Sequence, residues 1–293
     1  MDDDHALDKR LLRLSFERAA ASYDAAAVLQ QEVCRRMLSR LDYIKVEPQA
    51  ILDAGSGTGS VTAELRVRYP RATLYALDIA LAMVRRAQGR APWWQRLRGR
   101  GVSALCGDIE QLPLRHASLG MAWSNLALQW VSEPQRAFAE FRRVLVPGGL
   151  LMFSTFGPDT LKELRAAYQG TDRYTHVNRF IDMHDLGDML VHAGFADPVM
   201  DMEYITVTYA NVQALTRDLK AIGARNVTAG RPPGMTARAT LAAVERRYEA
   251  LRREGRLPAT FEVIYGHAWV PQARTTADGR PIIPIKARAQ PSP

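Results

Sequence analysis

Residues 51–60 read Ile-Leu-Asp-Ala-Gly-Ser-Gly-Thr-Gly-Ser, an apolar strand end that runs directly into three alternating glycines. Gly55, Gly57 and Gly59 lack a Cβ, so the turn can adopt positive φ and its backbone can approach a ligand closely. Residues 61–67 have helix-forming character, and the free N–H groups at the start of such a helix would face that ligand. The stretch therefore predicts a strand, a ligand-binding turn and a helix.

The spacing of the glycines separates two classes of nucleotide-like ligand. Dinucleotide-binding turns follow the pattern G-x-G-x-x-G, whereas this turn is G-x-G-x-G. Asp53 precedes the turn, where its charge would repel a pyrophosphate and attract a ligand that carries positive charge. S-adenosylmethionine, with its ammonium and sulfonium groups, meets that requirement. A glycine-rich turn that only connects a strand to a helix is the alternative.

Two further acidic residues follow the next two predicted strands. Residues 73–79 indicate a buried strand with Asp78 near its end, 19 residues after Gly59. An acid about 20 residues after the turn holds the ribose hydroxyls in nucleotide-binding α/β folds. Residues 102–105 indicate a third strand, and Asp108 follows it, where a carboxylate could accept a hydrogen bond from an adenine amino group. Three acids after three consecutive strands weaken the connecting-turn alternative.

Four more strands are predicted, at 119–124, 150–155, 204–209 and 260–270. About fifty mostly helical residues separate the last two, and we expect this lid, about 211–257, to lie over the carboxyl ends of the strands.

The chain divides into three predicted parts. Residues 1–44 carry the apolar stripes of amphipathic helices and form an N-terminal helical cap. Residues 45–270 form the α/β domain with its lid, and residues 271–293, rich in Pro and Arg, form a flexible basic tail.

The net positive charge is localised. Residues 211–293 carry 14 basic and 6 acidic side chains, which accounts for the whole formal charge of +8. A localised excess favours an acidic partner, although mixed charges at helical spacing equally fit a solvated helix face. Aromatic residues do not alternate with the basic ones as a base-stacking surface would require, so we expect no nucleic-acid partner.

Other features exclude several classes of protein. The acidic N-terminus lacks the apolar run of a secretory signal, and no stretch is long enough to span a membrane, so we expect a cytoplasmic location. Cys34 and Cys106 are expected to be reduced core residues. The six histidines lack ligand spacing, so we expect no metal site.

In motif order, residues 45–210 resemble the class I S-adenosylmethionine-dependent methyltransferases. LDAGSGTGS, ALDIA, GDIEQLP and LVPGGLLMFST match successive motifs of that superfamily. The resemblance implies a doubly wound, Rossmann-like α/β sheet of seven strands. It also implies that the cofactor contacts nine residues: Asp53, Gly55, Gly57 and Gly59 at the methionine part, Asp78 at the ribose, Asp108 and Ile109 at the adenine, and Ile79 and Met83 packed nearby.

More specific segments, together spanning about residues 8–270, are similar to the BioC family of malonyl-acyl-carrier-protein O-methyltransferases. FERAAASYD at 16–24, WSNLALQW at 123–130, NRF at 178–180 and LKAIGARN at 219–226 carry this similarity. The family implies methylation of the free carboxylate of a malonyl thioester, on acyl carrier protein or coenzyme A, early in biotin synthesis. The expected partner is an acidic carrier protein docked on the basic lid. No membrane partner is expected.

The chemistry of that reaction defines the substrate residues. A malonyl carboxylate is ionised at neutral pH, so no general base is required and positioning is the main task. We expect Arg179 to bind the carboxylate, with Lys220 or Arg225 on the lid as helpers, because a guanidinium binds a carboxylate bidentately. Pairing of Arg179 with Asp172 or Asp182 at the surface is the alternative.

Tyr23 and Asn125 complete the candidate site. Tyr23 follows a helix that is expected to fold over the cofactor, so its ring could close the site, or it is a core tyrosine. Asn125 follows the fourth predicted strand, from which substrate-facing residues project in this fold. The pair Trp93-Trp94 is given no role beyond a possible surface contact.

Two other functions stay open on the sequence. One is methylation of another small molecule or of RNA. The other follows from FGPDTLKELR and PATFEVIYGHAW, which are also similar to respiratory complex I assembly factors and imply hydroxylation of an arginine on a partner subunit.

Overall fold

A computed structural model of the chain describes residues 6–90, 101–232, 234 and 236–272. Trp93 and Trp94 lie outside these ranges, as do residues 273–293 of the predicted tail, so both expectations stay predictions.

The described residues form one seven-stranded sheet with the order β3-β2-β1-β4-β5-β7-β6. Its strands are β1 (Ala50–Ala54), β2 (Thr73–Asp78), β3 (Ser103–Cys106), β4 (Leu119–Asn125), β5 (Leu145–Phe156), β6 (Ala196–Tyr209) and β7 (Leu257–Trp269). Strands β1 to β5 are parallel, and β7 runs antiparallel to both β5 and β6. The strand order reverses between β1 and β4, as in a doubly wound sheet, so the predicted fold class is confirmed.

The helices in the described ranges are α1 (Lys9–Ala19), α2 (Tyr23–Ala26), α3 (Val28–Arg40), α4 (Ser60–Arg68), α5 (Leu81–Arg90), α6 (Pro134–Val144), α7 (Lys162–Tyr168), α8 (Met183–His192), α9 (Val212–Ala221) and α10 (Arg238–Glu249). The first three lie in the predicted cap, and α9 and α10 lie between β6 and β7, where the lid is predicted. Ile51 and Leu52, adjacent on β1, belong to different core clusters, so both faces of the sheet are covered.

Three strands begin earlier than predicted, and β7 does so by only three residues. Strand β5 starts at Leu145, and β6 starts at Ala196 and is an edge strand whose residues alternate between exposed and half-buried. An edge strand with polar residues at alternate positions lacks the continuous apolar run of a buried strand, so only its second half was predicted.

The cysteine prediction is half right. Both thiols are free, but Cys34 is buried in α3 whereas Cys106 is exposed on the edge strand β3. In the described part of the chain, no three His, Cys, Asp or Glu side chains are grouped so that they could hold a metal ion. Within the same ranges, no helix combines the length and the apolar character needed to cross a bilayer.

Candidate active site

The glycine turn joins β1 to α4 with all three glycines at positive φ, 77°, 52° and 81° in chain order. A Cβ on Gly55 would lie 2.3 Å from the Cβ of Ala127, and one on Gly59 would lie 2.8 Å from the Cα of Ala87. These two glycines are therefore required by packing as well as by conformation. A Cβ on Gly57 would meet only the ring of Tyr23, at 3.6 Å, so this side of the turn faces the cap.

Asp78, at the end of β2, holds the turn in place. Its carboxylate accepts hydrogen bonds from the Gly57 N–H and the Ala80 N–H, both at 2.9 Å. Burial raises the pKa of Asp78 to about 6, although these two N–H groups oppose the shift. A partly desolvated carboxylate beside the glycine turn suits the binding of ribose hydroxyls.

Asp53 lies behind the turn. It is 2% exposed and accepts a hydrogen bond of 2.5 Å from the Thr62 hydroxyl, which ties β1 to α4. Burial raises the pKa of Asp53 to about 7, against the effect of the Thr62 hydrogen bond. The side chain is thus only partly ionised at neutral pH, which weakens the argument that its negative charge attracts the cofactor.

The predicted adenine acid, Asp108, has a partner that the sequence did not indicate. Lys9, on α1, places its ammonium 2.5 Å from the Asp108 carboxylate and also contacts Glu110. Glu110 is 7% exposed and accepts a hydrogen bond from the Glu133 N–H at 2.6 Å. The cap is therefore bound to the loop that is expected to hold the adenine.

The cap is also attached to α5, on the cofactor side, at both ends of that helix. The Glu17 carboxylate accepts hydrogen bonds from the N–H groups of Leu81 and Ala82, at 2.6 and 3.0 Å, where α5 begins. Asp24 pairs with Arg90 at the other end of α5.

The cap is also joined to the lid. Leu7 and Thr228 form an antiparallel bridge, with hydrogen bonds of 2.9 Å on either side of it. The hydroxyls of Ser15 and Ser22 donate to the carbonyls of Gly223 and Ala221, at 3.1 and 3.0 Å.

A cavity of about 310 Å³ lies between the sheet, the cap and the lid. This volume is within the range of small-molecule sites, roughly 300–1,000 Å³. Seven of the nine predicted cofactor residues line it: Gly55, Gly57, Asp78, Ile79, Met83, Asp108 and Ile109. Asp53 and Gly59 do not line it. The remaining wall is mostly apolar and includes Phe16, Trp130, Phe156, Phe180 and Phe261.

Only some of the predicted substrate residues line this cavity. Tyr23, Asn125 and Arg225 line it, whereas Arg179 and Lys220 do not, and all three basic residues are exposed. The alternative pairing of Arg179 is not found, because Asp172 contacts His176 and Asp182 contacts His184.

Tyr23 and Asn125 have different surroundings. Burial, together with the charges of Asp78 and Asp24, raises the pKa of the Tyr23 hydroxyl well above its usual value, so the hydroxyl is neutral. The amide of Asn125 donates to the Gln30 carbonyl at 3.1 Å and accepts from the Ser154 hydroxyl at 2.9 Å. Its polar atoms thus connect α3 to β5, which indicates a structural role at the cavity wall.

Three residues that form a polar corner of the cavity are His176, Arg225 and Asn226. The Asn226 amide donates to the carbonyl of Thr175, which brings the lid loop against the segment that contains His176. The His176 ring stacks on Tyr168 with centroids 3.9 Å apart, and its Nε2 lies 2.9 Å from an Asp172 oxygen. Sequence reasoning missed His176 and Asn226, since no local motif joins segments fifty residues apart.

Known proteins resemble this chain in sequence and in fold. The family model described as a methyltransferase domain matches residues 52–153. The malonyl-[acyl-carrier protein] O-methyltransferase of Gallionella capsiferriformans is 56% identical over 283 residues, which cover 96% of this chain and 97% of that protein. The protein of the same name from Nitrosospira multiformis is 57% identical over 284 residues, covering 93% and 92%. The chain belongs to the malonyl-[acyl-carrier protein] O-methyltransferase family.

Solved structures agree with the fold of this family member. The YcgJ protein of Bacillus subtilis matches with a TM-score of 0.57 at 14% identity, covering 83% of this chain and 99% of that one. An S-adenosylmethionine-dependent methyltransferase of Thermotoga maritima matches with a TM-score of 0.51 at 17% identity, covering 88% and 99%. The resemblance to the malonyl-[acyl-carrier protein] O-methyltransferase family, predicted from the motifs, is confirmed.

The protein is an S-adenosylmethionine-dependent methyltransferase, and its residues fit that cofactor. The backbone of the glycine turn lines the cavity at Gly55 and Gly57. A side chain at position 55 would overlap Ala127. Beside it lie the Asp78 carboxylate for hydroxyl groups and the apolar side chains of Ile79 and Ile109 for a flat base.

Proposed function

We propose that this methyltransferase converts the free carboxylate of a malonyl thioester on acyl carrier protein to its methyl ester, as an early step of biotin synthesis. The names of the relatives support this substrate. One structural observation carries the assignment of its site. Arg225 lines the mostly apolar cavity, and its guanidinium has no hydrogen bond or ion pair with any residue that the structure describes.

Arg225 is exposed, so its unpaired guanidinium lies where the cavity meets solvent, and there it can bind a carboxylate through charge-assisted hydrogen bonds. Of the three basic candidates, Arg225 alone lines this cavity, so we assign the carboxylate to Arg225 instead of Arg179 or Lys220. The His176 ring, oriented by Asp172, lines the same polar corner.

The protein's part in the reaction is positioning. When bound, S-adenosylmethionine supplies an electrophilic methyl group, and the ionised carboxylate is already a nucleophile. Arg225 orients the carboxylate while one of its oxygens must stay free, since a grip on both would stabilise the ground state. The aromatic wall of Phe156, Phe180 and Phe261 excludes water from the reacting groups.

The lid suits an acidic carrier protein. Residues 211–257 contain ten basic and four acidic side chains. Arg217 and Lys220 are exposed on α9 and have no ion pair within the described ranges, whereas the Asp218 carboxylate of the same helix accepts from the Tyr209 hydroxyl at 2.9 Å. The outer side of α9 is thus positive. The apparent KM for the carrier should therefore rise with salt concentration, and a KM that does not change with salt would contradict docking here.

The test of the function uses the purified full chain with S-adenosylmethionine and malonyl-carrier protein. Intact mass should show the gain of one methyl group on the malonyl carrier, and acetyl-carrier protein, which has no free carboxylate, is the matched control. Absence of product with both substrates present would refute the proposal, and transfer of labelled methyl to RNA instead would support the alternative. Complementation of a biotin-requiring strain that lacks this activity tests the pathway.

A further inference from the structure

A second cavity, of about 150 Å³, adjoins the first. We call it the side cavity. The two cavities share five lining residues, Gln129, Val131, Phe156, Asn178 and Phe180. The side cavity therefore lies against the wall of the site where the methyl group is transferred.

The lining of the side cavity includes an unsatisfied acceptor. Asn178 is 8% exposed, and its Oδ1 accepts no hydrogen bond from any described residue. A buried carbonyl oxygen without a donor is costly, so it marks a place where a ligand N–H or O–H would bind favourably. The hydroxyl-bearing residues Ser132, Thr155 and Thr228 line the same cavity.

The outer end of the side cavity carries positive charge. Of its lining residues, only Ser132 and Arg179 are exposed, so they mark the opening to solvent. The Arg179 guanidinium has no hydrogen bond or ion pair among the residues described. An unpaired cation at a cavity mouth favours an anionic group of the ligand there.

We propose that the side cavity receives the phosphopantetheine arm that carries the malonyl thioester. Arg179 binds the phosphate at the mouth, Asn178 accepts a hydrogen bond from an amide N–H of the arm, and the thioester enters the main cavity beside Phe156. This inference rests on the malonyl-thioester function proposed above. The phosphate that Arg179 binds is present in both carrier protein and coenzyme A. Arg225 still binds the malonyl carboxylate.

The test compares malonyl-phosphopantetheine with malonyl-pantetheine, which lacks the phosphate, on the wild-type enzyme and on Arg179→Ala. Loss of one charge-assisted contact corresponds to a decrease of about 10- to 100-fold in kcat/KM. Removing the phosphate from the substrate and removing the guanidinium from the enzyme should each cause this decrease, and the two together should cause no more than one alone. Arg173→Ala, an exposed arginine six residues earlier that lines neither cavity, is the matched control and should behave as wild type.

Additive losses would overturn the inference, as would equal wild-type activity on the two thioesters. Activity on malonyl-carrier protein with none on malonyl-phosphopantetheine would also overturn it, because the arm alone would then not be recognised. Absence of activity on every malonyl thioester would instead refute the proposed function. Asn178→Leu gives a second measurement: kcat/KM for malonyl-pantetheine should decrease while the affinity for S-adenosylmethionine, measured by calorimetry, is retained.

Discussion

The Lys9 ammonium lies 2.5 Å from the Asp108 carboxylate, across 99 residues of sequence, and the same ammonium contacts the buried Glu110. This contact fixes the first helix on the loop that is expected to bind the adenine.

We expect Lys9→Met to lower the free energy of unfolding by about 1–3 kcal/mol, because Glu110 would stay buried without its cation. The affinity for S-adenosylmethionine should decrease several-fold, since the loop that contains Asp108 would lose its attachment to the cap. Calorimetry and thermal denaturation measure both effects. Arg10→Met is the control, because Arg10 is exposed and its side chain has no partner among the described residues. If the two variants were indistinguishable, the contact would have no role.

The buried Asp53 predicts a pH dependence of stability. Its pKa is about 7 in the folded protein and close to 3.8 in the unfolded chain, so the folded state binds more protons between these values. The contribution of Asp53 to stability is therefore fully present below about pH 4 and is lost as the pH rises to about 7. The difference in unfolding free energy between Asp53→Asn and wild type should grow over this interval, by on the order of 3 kcal/mol in favour of the variant. Glu64→Gln, an exposed acid on α4, should show no such trend, and a pH-independent difference for Asp53→Asn would disprove the assignment.

Arg225→Met should raise the KM for malonyl-carrier protein by about 10- to 100-fold through loss of a charge-assisted contact. Arg225→Lys should recover only part of it, because an ammonium is a compact, strongly hydrated charge on a flexible stem and lacks the fixed donor geometry of a guanidinium. The affinity for S-adenosylmethionine should be unaffected in both variants. Arg173→Met, an exposed arginine outside the lid that does not line the cavity, is the control. An unchanged KM in Arg225→Met would remove this residue from the substrate site.

Gly55→Ala should lower the unfolding free energy by more than about 3 kcal/mol, because the new Cβ would overlap Ala127 and the residue has φ of 77°. The second change Ala127→Gly should restore part of the loss by removing the overlap. Gly170→Ala is the matched control: its φ is 69°, but its Cβ would meet open space, so only the conformational cost of about 1 kcal/mol applies. Denaturation of the four proteins separates overlap from strain, and equal losses at Gly55 and Gly170 would show that overlap contributes nothing.

The sequence predicted the parts of the site that are local. The glycine turn and the acids Asp78 and Asp108 follow successive strands, and because parallel strands end at one edge of the sheet, their positions could be foreseen. The lid was also placed between the correct strands, because its helical pattern lies between two segments with strand patterns.

Contacts between distant segments could not be predicted. The attachment of Lys9 to Asp108 depends on where α1 packs. Asn125 lines the cavity, but its amide is bound to Gln30 and Ser154, which only the packing of α3 and β5 reveals. A resemblance of motifs likewise could not show which arginine lines the cavity, and the structure places Arg225 there and Arg179 at the side cavity.

The bridge between Leu7 and Thr228, with the hydrogen bonds from Ser15 and Ser22, joins the cap to the lid. The lid cannot swing outward to release the ester unless it breaks these bonds or pulls α1 from the adenine loop. Departure of the methylated product and replacement of the spent cofactor would then share one opening motion. A single gate would accordingly serve both ligands.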